Sequence, residues 1–242
     1  SLNLRVTKAL GSKAYELVRV SVVTRRGEPV PLLVGQGFDY SAPFKYRWTG
    51  ETLHTSLVHV APGAPSDLDV AGTRVSIRLP FAGEGVVGLL IADPCVRYSS
   101  ITTLVACVYG TKYQLAQRLP RLLDAFVGGE ASDLSYWGVL GDDLYDRTGE
   151  ATRAFFDDLS VRTKSKLLLT VPGNHDFWVL GTPKAATTWD QFGNGFMQWY
   201  AQDTVAAREV MPGDSAPPFN FSIDPDEGRR KQNPSGGKIT AL

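Results

Sequence analysis

Lys166 to Asp176 reads KLLLTVPGNHD, and the order of residue types in it sets the fold class. Leu167 to Val171 is a short apolar run of strand length. Pro172 and Gly173 end it, and an amide, an imidazole and a carboxylate follow in Asn174, His175 and Asp176. Ser135 to Arg147, SYWGVLGDDLYDR, has the same plan: an apolar run to Leu140, then Gly141, then Asp142, Asp143 and Tyr145. Between the two, Glu150–Leu159 places Ala151, Ala154, Phe155 and Leu159 at helical spacing. Strand, helix, strand in that order predicts a parallel pair joined by a right-handed crossover. Ligands of such sheets bind outside the carboxyl ends of the strands, where both polar clusters fall.

Upstream, Ile101–Cys107 (ITTLVAC) reads as another apolar strand. Lys112–Val127 reads as a helix through Leu115, Leu119, Leu122, Leu123 and Phe126, kinked at Pro120. The series is then β-α-β-α-β, with parallel strands at Ile101–Ala106, Ser135–Leu140 and Lys166–Val171. Before residue 98 the pattern is strands and turns: Tyr15–Thr24, Val30–Val34, Leu53–Val60, Thr73–Leu79 and Val86–Ala92, divided by Gly/Pro clusters. This predicts a β-sandwich-like N-terminal domain over residues 1–97, followed by an α/β part over 98–242. Asp93-Pro94-Cys95 reads as the turn that closes the β-rich part. Beyond Trp178 the periodicity fades. Trp189–Ala201 is an aromatic-rich stretch consistent with a short helix packed in a core, and Asp224–Lys238 reads as an exposed loop.

Of 242 residues, 25 are basic and 25 acidic, so the formal charge is zero. That argues against a nucleic-acid binder held by bulk phosphate attraction and against a polybasic membrane-surface protein. No apolar run approaches the length of a transmembrane helix. Two cysteines, Cys95 and Cys107, exclude a CxxC zinc site and leave either a disulfide or two free buried thiols. The three histidines are His54, His59 and His175; strand alternation puts the first two on opposite faces of one strand.

Asp, Asn and Gly after a strand are ordinary turn and capping residues when met singly. Here two such clusters follow two consecutive strands, with Asp142 and Asn174 32 positions apart. A carboxylate, a phenol, an amide oxygen and an imidazole on one crevice suit a divalent or trivalent cation.

Gly141–Tyr145 matches a GDxxY pattern and Gly173–Asp176 a GNHD pattern. Together they resemble the calcineurin-like metallophosphoesterase superfamily, and the tyrosine points to its purple acid phosphatase branch. Phe155–Ser160 (FFDDLS) and the strand after it resemble the tartrate-resistant acid phosphatase pattern. The resemblance covers roughly Ile101–Tyr200. It implies an α/β metallophosphoesterase-like sandwich, of which this chain holds the front β-α-β-α-β half. It implies phosphomonoester hydrolysis by a metal-bound hydroxide at a binuclear site, Fe with Fe, Zn or Mn. By resemblance Asp142 bridges the metals, Tyr145 binds the ferric ion and Asn174 the second metal. His175 contacts the phosphate or the leaving group, Asp176 orients His175, and Asp146 and Arg147 are structural.

Two departures qualify that picture. The family opens its site with an Asp at the end of its first strand, in DxG or DxH. If that strand is Ile101–Ala106, Gly110 fits the glycine and Val108 stands at the Asp position, or Cys107 if the register slips by one. Either way the carboxylate is missing. The family also uses several further histidines, and only His175 lies in the catalytic part. Beside a mononuclear metal- or phosphate-binding module using Asp142 and Asn174 alone, two functions therefore stay open. One is a phosphoesterase whose remaining histidines come from a partner chain or a further C-terminal segment. The other is a catalytically inactive phosphoesterase fold serving as a structural or interaction subunit. The resemblance goes with a secretory, lysosomal or organellar compartment after removal of a targeting segment, and only there does the Asn220-Phe221-Ser222 sequon matter.

Overall fold

The structure, a computed structural model, describes residues 2–8, 16–28, 33–34, 44–45, 51–81, 83–96, 98, 108–130, 132–146, 149–173 and 175–176. In chain order the first elements are β1 (Leu4–Lys8), β2 (Leu17–Thr24), β3 (Leu33–Val34), β4 (Phe44–Lys45), β5 (Thr52–His59), β6 (Pro65–Val70), β7 (Thr73–Arg78) and β8 (Gly88–Ile91). After them come α1 (Val108–Lys112), α2 (Leu115–Phe126), β9 (Tyr136–Leu140), α3 (Glu150–Asp158), α4 (Val161–Lys164) and β10 (Leu167–Val171).

One seven-stranded mixed sheet runs β4-β5-β2-β1-β10-β9-β8. Strands β1, β10, β9 and β8 are mutually parallel, and β2, β5 and β4 extend the sheet in antiparallel fashion. Period-two alternation divides the side chains between two layers. Trp137, Val139 and Leu168 face Leu123, Phe155, Phe156 and Leu159 of the helical layer. On the opposite face, Val6, Val18, Val20 and Val58 meet Leu68, Val70, Val75 and Ile77. The last four belong to a second sheet, β3-β6-β7. Full burial of each such side chain contributes about 1.5–3 kcal/mol, so both interfaces hold the sheet firmly.

The architecture is α/β, as expected, with Ser135–Leu140 and Lys166–Val171 forming parallel neighbours in β9 and β10. Three details differ. The N-terminal strands do not stand apart as a sandwich of their own: β1 pairs with β10, Val6 opposite Leu167, so the sheet is continuous through both parts of the chain. The β-rich segment instead contributes the covering sheet. The strand parallel to β9 on its far side is β8, Leu89 opposite Trp137, where Ile101–Ala106 was expected. Ile101–Ala106 lies outside the described residues, and Val108 opens α1. The helix expected over Lys112–Val127 is two helices, broken at Tyr113–Gln114, where Gln114 takes a left-handed conformation (φ 54°). Pro120 sits within α2, where its missing N–H costs one helical bond.

Cys95 is disulfide-bonded, which decides against free thiols there; Cys107 lies outside the described residues. Among the described residues no helix is long and apolar enough to cross a membrane. Trp189–Ala201, Asn220 and Asp224–Lys238 all lie outside the described residues.

Candidate functional site

Strands β8, β9 and β10 end side by side, and the loop after each turns back over the same sheet edge. These turns need unusual backbone. Gly141 has φ 76°, and Asp93, Asp142, Leu144 and Tyr145 all have positive φ between 48° and 68°. A non-glycine residue in the left-handed region costs energy, so four together mark a site whose conformation is imposed by its surroundings. The anchor is Leu144, 2% exposed in the core under the helices.

The loops are joined by reciprocal hydrogen bonds. Asp142 Oδ1 accepts the backbone N–H of His175 at 2.9 Å. In return, Asp176 Oδ1 accepts the backbone N–H of Asp143 at 2.8 Å, and its Oδ2 accepts that of Gly173 at 2.6 Å. Asp93 N–H donates to Gly141 O at 3.2 Å, which ties the β8 loop to the β9 loop. Gly173 is what lets the loops approach: a Cβ there would lie 2.2 Å from Asp142 Oδ1 and 2.4 Å from Asp142 N.

At the centre stands the Tyr145 hydroxyl. It donates to Asp93 Oδ1 and also lies 3.3 Å from Asp142 Oδ2. Burial, with Asp93 and Asp142 beside it, pushes the phenol far above its ordinary pKa, so it holds its proton. The Tyr145 and His175 rings pack with centroids 4.9 Å apart. Asp143, fully buried below them, is pushed up to about 8 by burial and then by the neighbouring Asp176 carboxylate. Thr170 of β10 donates its hydroxyl to Asp143 Oδ2. Asp176 is also raised by burial, while its backbone donors pull the other way.

The expected residues divide as follows. Asp142, Tyr145, His175 and Asp176 come together. Asn174 lies outside the described residues. Asp176 holds backbone N–H groups of both loops and so fixes one against the other. Asp146 accepts the Thr152 N–H at 2.7 Å and so supports the first turn of α3. His54 and His59 are remote: His54 is buried against the Thr24 hydroxyl at 2.8 Å, and His59 stands beside Glu16 at 4.0 Å. The sequence reads Asp93 as part of the turn closing the β-rich part, yet it belongs to the site. It follows an apolar run at once, as Asp142 and Asn174 follow theirs after a glycine, and that shared placement is the signal that points to it. Val108 opens α1 and Cys107 lies outside the described residues, whereas Asp93 follows β8, the strand beside β9. Among the described residues, no three His, Cys, Asp or Glu side chains converge to hold a metal. The convergent set counts only when the phenol is added: Asp93, Asp142 and Tyr145.

No protein-family model matches the chain, and no curated protein does. A similar solved structure is that of a purple acid phosphatase isolated from yellow lupin (Lupinus luteus) seeds. It is 14% identical over 83% of this chain, with a TM-score of 0.42. This chain spans 39% of the length of that protein. A likeness so distant bears on overall fold at most.

Proposed function

We propose that the chain carries the front half of a metallophosphoesterase centre of purple acid phosphatase type, built for phosphomonoester hydrolysis. One observation carries this reading: a phenol hydroxyl held between two carboxylates, from the ends of two adjacent parallel strands. The donor set fits a hard cation. Three oxygens converge, two of them anionic, and the phenol proton occupies the place a cation takes. Asp93, Asp142 and Tyr145 would hold the ferric ion, and Asp142 with Asn174 would reach towards a second metal, Fe, Zn or Mn. The second position needs imidazoles. This chain has three, two of them on β5, so a partner chain or a further C-terminal segment supplies the rest.

A metal pair bound there supplies Lewis-acid polarisation of a phosphoryl oxygen and a water of lowered pKa. The chain's own residues do the positioning. Asp142 and Asp176 lock the two loops, Leu144 anchors the first in the core, and His175, its ring tilted against that of Tyr145, would meet the phosphate or hand a proton to the leaving group. A second reading, an inactive fold acting as an interaction subunit, has one observation in its favour: Asp142 Oδ1 is already engaged by the His175 N–H.

Ferric iron added to the purified chain tests the proposal. The expected result is close to one iron per chain with a visible tyrosinate charge-transfer band, and negligible turnover of an aryl phosphate by the chain alone. Tyr145→Phe should abolish the band, and Asp93→Asn should weaken iron binding at least tenfold. Iron-free, colourless protein would favour the inactive subunit. Turnover at ordinary rates, about 1–1,000 per second, would show that the chain needs no outside histidines.

A further inference from the structure

The three loops of the site are not held alike. The β9 and β10 loops lock each other: Asp142 Oδ1 takes the His175 N–H, and Asp176 takes those of Asp143 and Gly173. Leu144 roots the first of them in the core. The β8 loop shows no such lock among the described residues. It meets its neighbour through Asp93 N–H on Gly141 O at 3.2 Å and through the Tyr145 hydroxyl on Asp93 Oδ1. Yet exposed Asp93 stands at φ 48°, a conformation that persists only where the surroundings hold it. After it the chain turns through two overlapping three-residue hydrogen bonds, Cys95 N–H to Asp93 O at 2.9 Å and Val96 N–H to Pro94 O at 2.6 Å. The turn ends in Val96, fully buried against the helical layer. Within it lies a covalent tie, the Cys95 disulfide, two residues from Asp93. The sequence has one other cysteine, Cys107, so the bond closes a short loop directly after the Asp93 turn. Cys95 is half-buried, within reach of a small reductant, and disulfides that solvent reaches are the ones that respond to their surroundings.

We propose that the Cys95 disulfide is the positioning element of the β8 loop and makes the site sensitive to thiol reductants. Intact, the bond fixes the turn that presents Asp93 to Tyr145. When a dithiol reduces it, two electrons and two protons pass to the cysteine sulfurs, two thiols form, and the dithiol closes to a cyclic disulfide. The turn then relaxes out of the left-handed conformation, and the Asp93 carboxylate leaves the phenol. Asp142 and Tyr145 keep their places, because the β9 and β10 loops are locked independently. Reduction thus removes one oxygen from the convergent set of three and spares the other two. The loss of the Asp93 contact stands on geometry alone; its consequence for cation binding rests on the metal reading proposed above.

Fluorine NMR of the metal-free chain carrying fluorotyrosine tests the geometry, with the Tyr145 signal assigned by its absence in Tyr145→Phe. Dithiothreitol should shift that signal, as Asp93→Asn does in the oxidised chain, and should shift it no further in Asp93→Asn. Tyr136, whose ring lies over Gly88 at the far end of β8, should keep its signal throughout. A Tyr145 signal that ignores reduction overturns the proposal. So does one that moves equally in Asp93→Asn, or a Tyr136 signal that moves with it, since the disulfide then supports the strand rather than the carboxylate. Iron affinity reads the consequence. Cys95→Ala with Cys107→Ala, free of reductant, should bind ferric ion about 10–100-fold more weakly than the wild type, and adding Asp93→Asn should weaken it little more. A double alanine variant that binds iron as tightly as the wild type overturns the proposal. A wild type that binds no iron overturns the metal reading instead, and the fluorine signals then decide the role of the disulfide.

Discussion

Gly173 shows how one hydrogen in place of a methyl group can hold a site together. With Asp142 Oδ1 2.2 Å and Asp142 N 2.4 Å from where its Cβ would be, Gly173→Ala drives a methyl group against both the side chain and the backbone of Asp142, and the backbone N cannot swing aside. Overpacking of this kind costs about 1–3 kcal/mol. The expected outcome is a loss of that size in chemical denaturation. The amide of His175 should also lose hydrogen-exchange protection, because its acceptor is displaced. Asp93 teaches the opposite lesson about legibility. It follows an apolar run as Asp142 does, but Pro94 and Cys95 after it carry the chemistry of an ordinary turn. What makes it part of the site is that β8 lies beside β9, and spatial neighbours are set by tertiary pairing that no local pattern encodes.

Among the elements, α4 has only four residues, and its lysine holds it in place. Lys164 is 2% exposed, with Nζ donating to Leu2 O at 2.6 Å and to Phe156 O at 3.0 Å. Burial lowers its pKa to about 8. Between about 8 and its ordinary value of 10.5 the unfolded chain keeps a proton that the folded chain has released, so this group's contribution to stability rises with pH through that window. The denaturation midpoint of the wild type, relative to Lys164→Met, should therefore climb from pH 8 to pH 10. A flat difference would show that Lys164 stays charged when folded. The Cys95 disulfide belongs to the same scale, next to the β8 loop. Cys95→Ser should cost about 2–4 kcal/mol and make the protein insensitive to thiol reductants, both measurable by denaturation with and without dithiothreitol.

Regular alternation or helical spacing made β2, β5, β7, β9, β10 and α3 legible in the sequence. Three strands escaped: β4 has only two residues, and the other two have identifiable reasons. β1 (LRVTK) has charges at both ends of its apolar centre, and Arg5 looks like a solvent residue; in the fold it is 1% exposed, 4.0 Å from the Phe156 ring centroid. β6 (PSDLDV) begins with a proline and carries two aspartates, yet only Leu68 and Val70 need to face inward. Proline at the first residue of a strand leaves the ladder intact.

For the whole molecule, the continuous sheet predicts one cooperative unfolding event. Probes in β2 and β5 and probes in β9 and β10 should melt together, and two separated transitions would show that residues 1–97 fold independently. The pairing of β1 with β10 has a consequence in time as well. Val6 finds its partner Leu167 161 positions later. At roughly 5–20 residues per second, a ribosome takes about 8–32 s to make that interval. Throughout synthesis of the intervening chain, one edge of β1 has no strand to pair with and Val6 has only part of its final cover. Unpaired apolar strand edges are where nascent chains associate wrongly. The N-terminal strand is thus the segment most in need of chaperone protection at birth, although in the finished protein it is among the most deeply buried.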